Sequence, residues 1–158
     1  TNKHVILNKG KYRPDFCSTY FLNGEKYTTI WDNKSFGWNA NYDIGTIAIY
    51  NTSNYITNLT KHTQGFDYCD VEPEIGDKVV ILGYPGIGSS SGITVTEGII
   101  SGYEEAYYVT SAKIDHGNSG GIAVLVKDNC IVGMPSASVG GSLESLGRIL
   151  SSKTILGR

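Results

Sequence analysis

No stretch of ten or more residues carries the apolar period of an amphipathic helix. What recurs instead is a series of short apolar runs, several alternating with period two, each bounded by Gly, Asn, Asp or Pro. Such a chain must bury its apolar side chains on paired strands, and many short strands separated by Gly-rich turns close into barrels or stack into sandwiches. The sequence therefore predicts an all-β fold. The runs are STYFL (18–22) and KYTTIW (26–31) around the hairpin signal Asn23-Gly24-Glu25, then DIGTIAIY (43–50). KVVILGY (78–84) follows the turn Ile75-Gly76-Asp77, ITVTEGIISGY (93–103) alternates with period two, and AYYVTSA (106–112) follows Glu104-Glu105. GIAVLVK (121–127) and CIVGM (130–134) flank Asp128-Asn129, LGRIL (146–150) is a further strand, and SSKTIL starts a short terminal helix. The segment from Asn51 to Glu74 is polar and without period. It divides the domain of residues 1–158 into a first β lobe (1–50), a connector (51–75) and a second β lobe (76–158).

Composition narrows the function. The 158 residues are 40% hydrophobic, enough for a real core. A net charge of −2 provides no basic face, so nucleic acid is not an expected partner. No apolar run is long enough to span a membrane. The three cysteines, Cys17, Cys69 and Cys130, form no C-x-x-C pair. Zinc or thioredoxin-type chemistry is not expected, nor any other metal or cofactor, and at most one intrachain disulfide can form. Cys130, inside NCIVGM, reads as a buried thiol. Oligomeric state is not encoded in any of these features.

The chemistry concentrates in Asp115-His116-Gly117-Asn118-Ser119-Gly120-Gly121. Its plain reading is a turn that needs glycine; its functional reading is a nucleophile held in that turn. Gly117-Asn118-Ser119-Gly120-Gly121 matches the elbow of α/β-hydrolases, but that fold needs a helix after the serine and a histidine further on. A strand follows here, and no histidine lies beyond Ser119. An acid–histidine–serine order fares no better. No Asp precedes His4, and His62 sits in the polar connector. The order His, Asp, Ser remains, that of chymotrypsin-like double barrels. It assigns His4 as base, an intervening Asp as its orienting group, and Ser119 as nucleophile. Asp43 opens an apolar strand, where a carboxylate becomes buried; Asp32, after Trp31, is the alternative. Asp77 and Asp128 lie in turn signals, where Asp caps its own backbone. His116, three residues before Ser119, reads as a pocket or solvent residue.

Several motifs, in order, resemble the trypsin-like serine proteases of the HtrA/Deg type. Thr1-Asn2-Lys3-His4-Val5-Ile6 resembles that family's histidine motif, and Asp43-Ile44-Gly45-Thr46-Ile47 its aspartate strand. Gly76-Asp77-Lys78-Val79-Val80-Ile81-Leu82-Gly83-Tyr84-Pro85 and Val95-Thr96-Glu97-Gly98-Ile99-Ile100-Ser101 resemble two of its strands, and Gly117 to Gly121 its serine motif. Departures are Gly45 where Ala is usual, Asp115-His116 where Asn-Pro is common, and Ile122 where Pro is common.

The resemblance implies a chymotrypsin-like double β-barrel that hydrolyses peptide bonds, with His4 and Asp43 from the first barrel and Ser119 from the second. It implies an oxyanion hole formed by the backbone N–H groups of Gly117 and Ser119. Around Ser119, Lys113, Ile114, Asp115 and His116 are expected on one wall of the substrate pocket and Pro135, Ser136 and Ala137 on another. Gly147-Arg148-Ile149 is expected behind it. With no clear acid at the base, the expected preference is for small or medium apolar side chains; Asp115 leaves Arg or Lys open. The expected partners are protein or peptide substrates, and the family favours an extracytoplasmic or secreted setting. The family also has strands before its histidine motif, so the first barrel is expected to be incomplete here. Two other functions fit the same fold: a catalytically silent binding module and an esterase.

Overall fold

Among the described residues, alternating burial along short strands produces one closed barrel and two small sheets. The computed structural model describes residues 1–7, 14–20, 26–32, 34–48, 67–86, 92–136 and 146–158. The chain divides into two units, Thr1–Gly65 and Phe66–Arg158. The signal Asn23-Gly24, His62 and the connector up to residue 66 lie outside the described residues.

In the first unit, Lys3–Ile6 forms a one-turn helix, α1. Phe16–Tyr20 (β1) pairs antiparallel with Lys26–Ile30 (β2), Phe16 opposite Ile30. Phe36–Trp38 (β3) pairs antiparallel with Gly45–Ile47 (β4). Ile6, Leu7 and Phe36 form a small core, with Cys17, Trp31 and Ile47 packed against it. Trp31 stacks on Phe36 at 4.4 Å between ring centroids. Among the described residues these strands make two separate two-stranded sheets rather than a closed barrel. Neither α1 nor β3 was anticipated, because elements of four and three residues are too short to show a period. Gly45 is where α1 meets β4: a Cβ there would stand 2.5 Å from the Cδ1 atom of Ile6.

The second unit is built on Lys78–Gly83 (β5), Thr94–Glu104 (β6), Tyr107–Thr110 (β7), Ile122–Leu125 (β8), Cys130–Ser136 (β9) and Gly147–Ser151 (β10). They close into a barrel in the order β10-β7-β6-β5-β8-β9, every pair antiparallel. Closure removes all sheet edges. Alternate residues point inward: Val79 and Ile81 from β5, Ala123 and Leu125 from β8, Val132 from β9 and Ile149 from β10 are core members. The β8–β9 hairpin turns through Asn129 at φ 50°, a left-handed conformation that Asn tolerates. Ser152–Leu156 (α2) follows β10; its N-cap Ser151 accepts from the Thr154 N–H, and Gly157 ends it with φ 69°.

Cys130 differs from expectation. It is buried, but as half of a disulfide with Cys69 rather than as a thiol. The segment holding Cys69 runs beside β9: Tyr68 bridges Ile131, the Cys69 N–H donates to the Ile131 carbonyl at 3.0 Å, and the Ile131 N–H to that of Asp67 at 2.7 Å. That alignment brings the two Cα atoms to 5.0 Å, within disulfide range. Cys17 is a half-buried thiol whose pKa is raised by burial.

Thr110 tests how the barrel treats a polar core group. It is fully buried; its hydroxyl donates to the Ile99 carbonyl at 2.8 Å and accepts the Ala112 N–H at 3.0 Å. The Ile99 carbonyl also receives the Ser111 N–H at 3.1 Å, so Thr110→Val strands chiefly the buried Ala112 N–H. The expected loss is about 1–3 kcal/mol, read by chemical denaturation; an unchanged midpoint would contradict it.

Candidate active site

Two segments of the first unit build a histidine–carboxylate pair. Asn39 shapes the loop that presents the acid: its side-chain oxygen accepts the N–H groups of Asn41 at 2.8 Å and Tyr42 at 3.2 Å. The Asn39 N–H donates to the Ile44 carbonyl at 2.9 Å, closing the loop ahead of β4. Asp43 thus lies in this loop, two residues before β4, rather than opening the strand. His4 stands in the first turn of α1, whose opening N–H groups lack intrahelical partners. The His4 N–H donates to Asp43 Oδ1 at 3.0 Å, and His4 Nδ1 lies 2.5 Å from Asp43 Oδ2. One carboxylate therefore grips both backbone and ring. The His4 side chain remains 44% exposed and that of Asp43 22%, so the carboxylate is partly rather than fully buried.

The alternative acid is occupied elsewhere. Asp32 Oδ1 accepts the N–H groups of Lys34 at 2.8 Å and Ser35 at 2.6 Å. Its pKa is lowered, first by the Ser35 hydroxyl and then by these N–H groups. Asp32 caps its own turn; of the two carboxylates, only Asp43 meets His4.

Ser119 belongs to the second unit, in a loop of two successive turns. The Asn118 N–H donates to the Asp115 carbonyl at 2.9 Å, and the Gly121 N–H to that of Asn118 at 3.0 Å. The loop is held from two sides. Tyr84 and Gly86 donate their N–H groups to the carbonyls of Gly117 and His116, each at 3.2 Å, while the Gly120 N–H reaches the Pro135 carbonyl of β9 at 3.3 Å. Asn118 is buried beneath the loop and Ser119 is half-buried. Gly117 adopts φ 100°, and a Cβ there would collide with the Tyr84 carbonyl. Both facts demand glycine. Among the described residues no acceptor takes the Gly117 N–H.

The expected pocket residues divide by burial. Lys113, Asp115 and His116 are exposed, and Ile114 is half-buried against the barrel core. Asp115 Oδ1 accepts the His116 N–H at 2.7 Å, so this carboxylate serves its own turn. Pro135 and Ser136 are buried in β9. Ala137 lies outside the described residues. Ile149 belongs to the barrel core, and Arg148 Nε pairs with Glu104 at 2.7 Å. Asn2 was not assigned a role from the sequence. It is fully buried, and its Nδ2 donates to the Asp43 carbonyl at 3.1 Å. Its place in the histidine motif was the only signal available.

Comparisons with known proteins converge. The sequence model of the trypsin-like peptidase domain matches residues 1–134. No curated protein matches. Among solved structures, a serine endoprotease from Yersinia pestis is 25% identical, with a TM-score of 0.68 over 99% of this chain and 50% of that one. The HtrA-type protease AlgW, solved with a tripeptide, shares the fold at 22% identity and a TM-score of 0.70, over 99% of this chain and 49% of its own. The chain thus spans about half the length of the structures it matches.

Proposed function

Since the chain belongs to the trypsin-like peptidase domain family, we propose that it is a serine endopeptidase with His4, Asp43 and Ser119 as its triad. The observation that carries this reading is the double grip of Asp43 on the His4 backbone and ring. A serine hydroxyl is a weak nucleophile at neutral pH and needs an adjacent base. Asp43 engages Nδ1, which leaves Nε2 to accept the Ser119 proton as Oγ bonds to the substrate carbonyl carbon. The carbonyl π pair moves onto oxygen. His4 then returns the proton to the leaving amine as the C–N bond breaks, and water repeats the sequence to release the acid.

The oxyanion is assigned to the N–H groups of Gly117 and Ser119. The left-handed Gly117 and its N–H without an acceptor among the described residues support this. Such donors act where negative charge develops, and each is worth about 100- to 1000-fold in rate. Substrates are proteins or peptides. Residues 113–116 and 135–136 are assigned to the walls of the pocket for the residue before the cut, and the engagement of Asp115 in its own turn favours an apolar side chain there.

A fluorophosphonate probe tests the reading. The purified protein should be labelled at Ser119, located by peptide mapping, with labelling lost in Ser119→Ala while the melting profile stays the same. Labelling should coincide with peptide cleavage. Labelling without cleavage would indicate an esterase, and cleavage by purified Ser119→Ala would end the triad assignment.

A further inference from the structure

We propose that Asn2 is a positioning residue: it fixes the backbone of Asp43 so that one carboxylate can hold both the N–H and the ring of His4. The inference rests on the triad reading above and adds a residue to it. Asn2 occupies the N-cap of α1, where an Asn side chain ordinarily accepts a helix N–H. Here it makes no capping bond. Its amide is fully buried and turned the other way, with Nδ2 donating to the Asp43 carbonyl at 3.1 Å. That orientation is dictated by chemistry, since a carbonyl can only accept and a flipped amide would set oxygen against oxygen.

The other end of the amide shows what this arrangement costs. Among the described residues Oδ1 of Asn2 is buried with no hydrogen-bond partner. Buried acceptors left unpaired are destabilising and uncommon. Serine at this site would cap the helix, and an apolar residue would fill the space, neither burying an orphaned oxygen. Among the described residues, the one bond that the Asn2 side chain makes is to Asp43. Three bonds thus converge on Asp43 from two residues: Asn2 on its carbonyl, the His4 N–H on Oδ1, and the His4 ring on Oδ2. The neighbouring Gly45 N–H donates to the Thr1 carbonyl at 2.8 Å, so the two segments are aligned on either side of the pair. Removing the Asn2 bond leaves the carboxylate attached to a backbone that can shift. Misplacing a catalytic group by about 1 Å can cost roughly 100-fold.

A double-mutant cycle on peptide hydrolysis by the purified protein tests this. Asn2→Ala should lower kcat by about 100-fold with KM within about twofold, because ground-state binding does not involve Asn2. In an Asp43→Asn background the same substitution should change kcat by less than about threefold, since the group it positions is already disabled. Equal factors in both backgrounds, or a loss confined to KM, would overturn the inference while leaving the triad intact. An Asp43→Asn enzyme as active as wild type would instead overturn the triad, and this inference with it. If Asn2→Ala loses its melting transition, Asn2→Ser takes its place in the cycle. It can supply the helix cap that Asn2 does not make, and its shorter side chain lacks the amide that reaches Asp43.

Discussion

Asp43→Asn should lower kcat by about 10,000-fold with the fold retained. In the proposed triad, so small a change acts through the hydrogen bonds of the His4–Asp43 pair. Asp43 Oδ1 faces the His4 N–H, and a backbone N–H can only donate. The carbonyl oxygen of the substituting amide must therefore take that position. Its NH2 group then falls where Oδ2 stood, 2.5 Å from Nδ1 in the native pair. An NH2 group can only donate, so Nδ1 must accept, and the neutral ring carries its proton on Nε2. Nε2 then has no lone pair for the proton that the proposed mechanism takes from Ser119. The substitution preserves shape and inverts the tautomer. Steady-state kinetics on a peptide substrate is the check, and a loss smaller than about tenfold would remove Asp43 from its assigned role.

Replacing both Cys69 and Cys130 by Ser should destabilise the second unit by about 2–5 kcal/mol. The disulfide closes a loop with a sequence separation of 61. Chain-entropy arithmetic for a loop of that size gives about 4 kcal/mol. The native state adds its own reason, because both sulfurs lie in buried positions and Cys130 is a member of the barrel core. Two hydroxyls placed there lack the packing of the bridge. The melting transition of that unit should fall by roughly 10 °C or more, measured by calorimetry on the oxidised protein and the double variant. Buried sulfurs also imply that a reductant reaches them chiefly through opening of the unit, so reduction of the folded protein should be slow and speed up with denaturant. Equal melting temperatures would show that the bridge adds nothing to stability. A bridge of this kind persists in oxidising surroundings.

The strands of the second unit were legible in the sequence because their signals are local. The continuous apolar run in Lys78–Gly83 and the period-two alternation in Thr94–Glu104 need only the pleat and burial, and the turn at Asp128-Asn129 needs only a residue that tolerates positive φ. Ser119 stood out through its glycines, one of which, Gly117, has the backbone conformation that excludes a side chain. His4 and Asp43 were named from chain order and strand position, and Asp32 could not be set aside on those grounds. Only folding showed that Asp32 caps its own turn while Asp43 reaches across 39 residues to His4. Other features were beyond local reading for the same reason. The pairing of β5 with both β6 and β8, the Cys69–Cys130 bridge, and the burial of Asn2 beneath Asp43 all depend on contacts between residues distant in sequence. Period and turn chemistry are set by each residue and its neighbours along the chain. Partner choice for a thiol, a carboxylate or an amide is set by what packing brings within about 3 Å, and that is decided only when the sheets close.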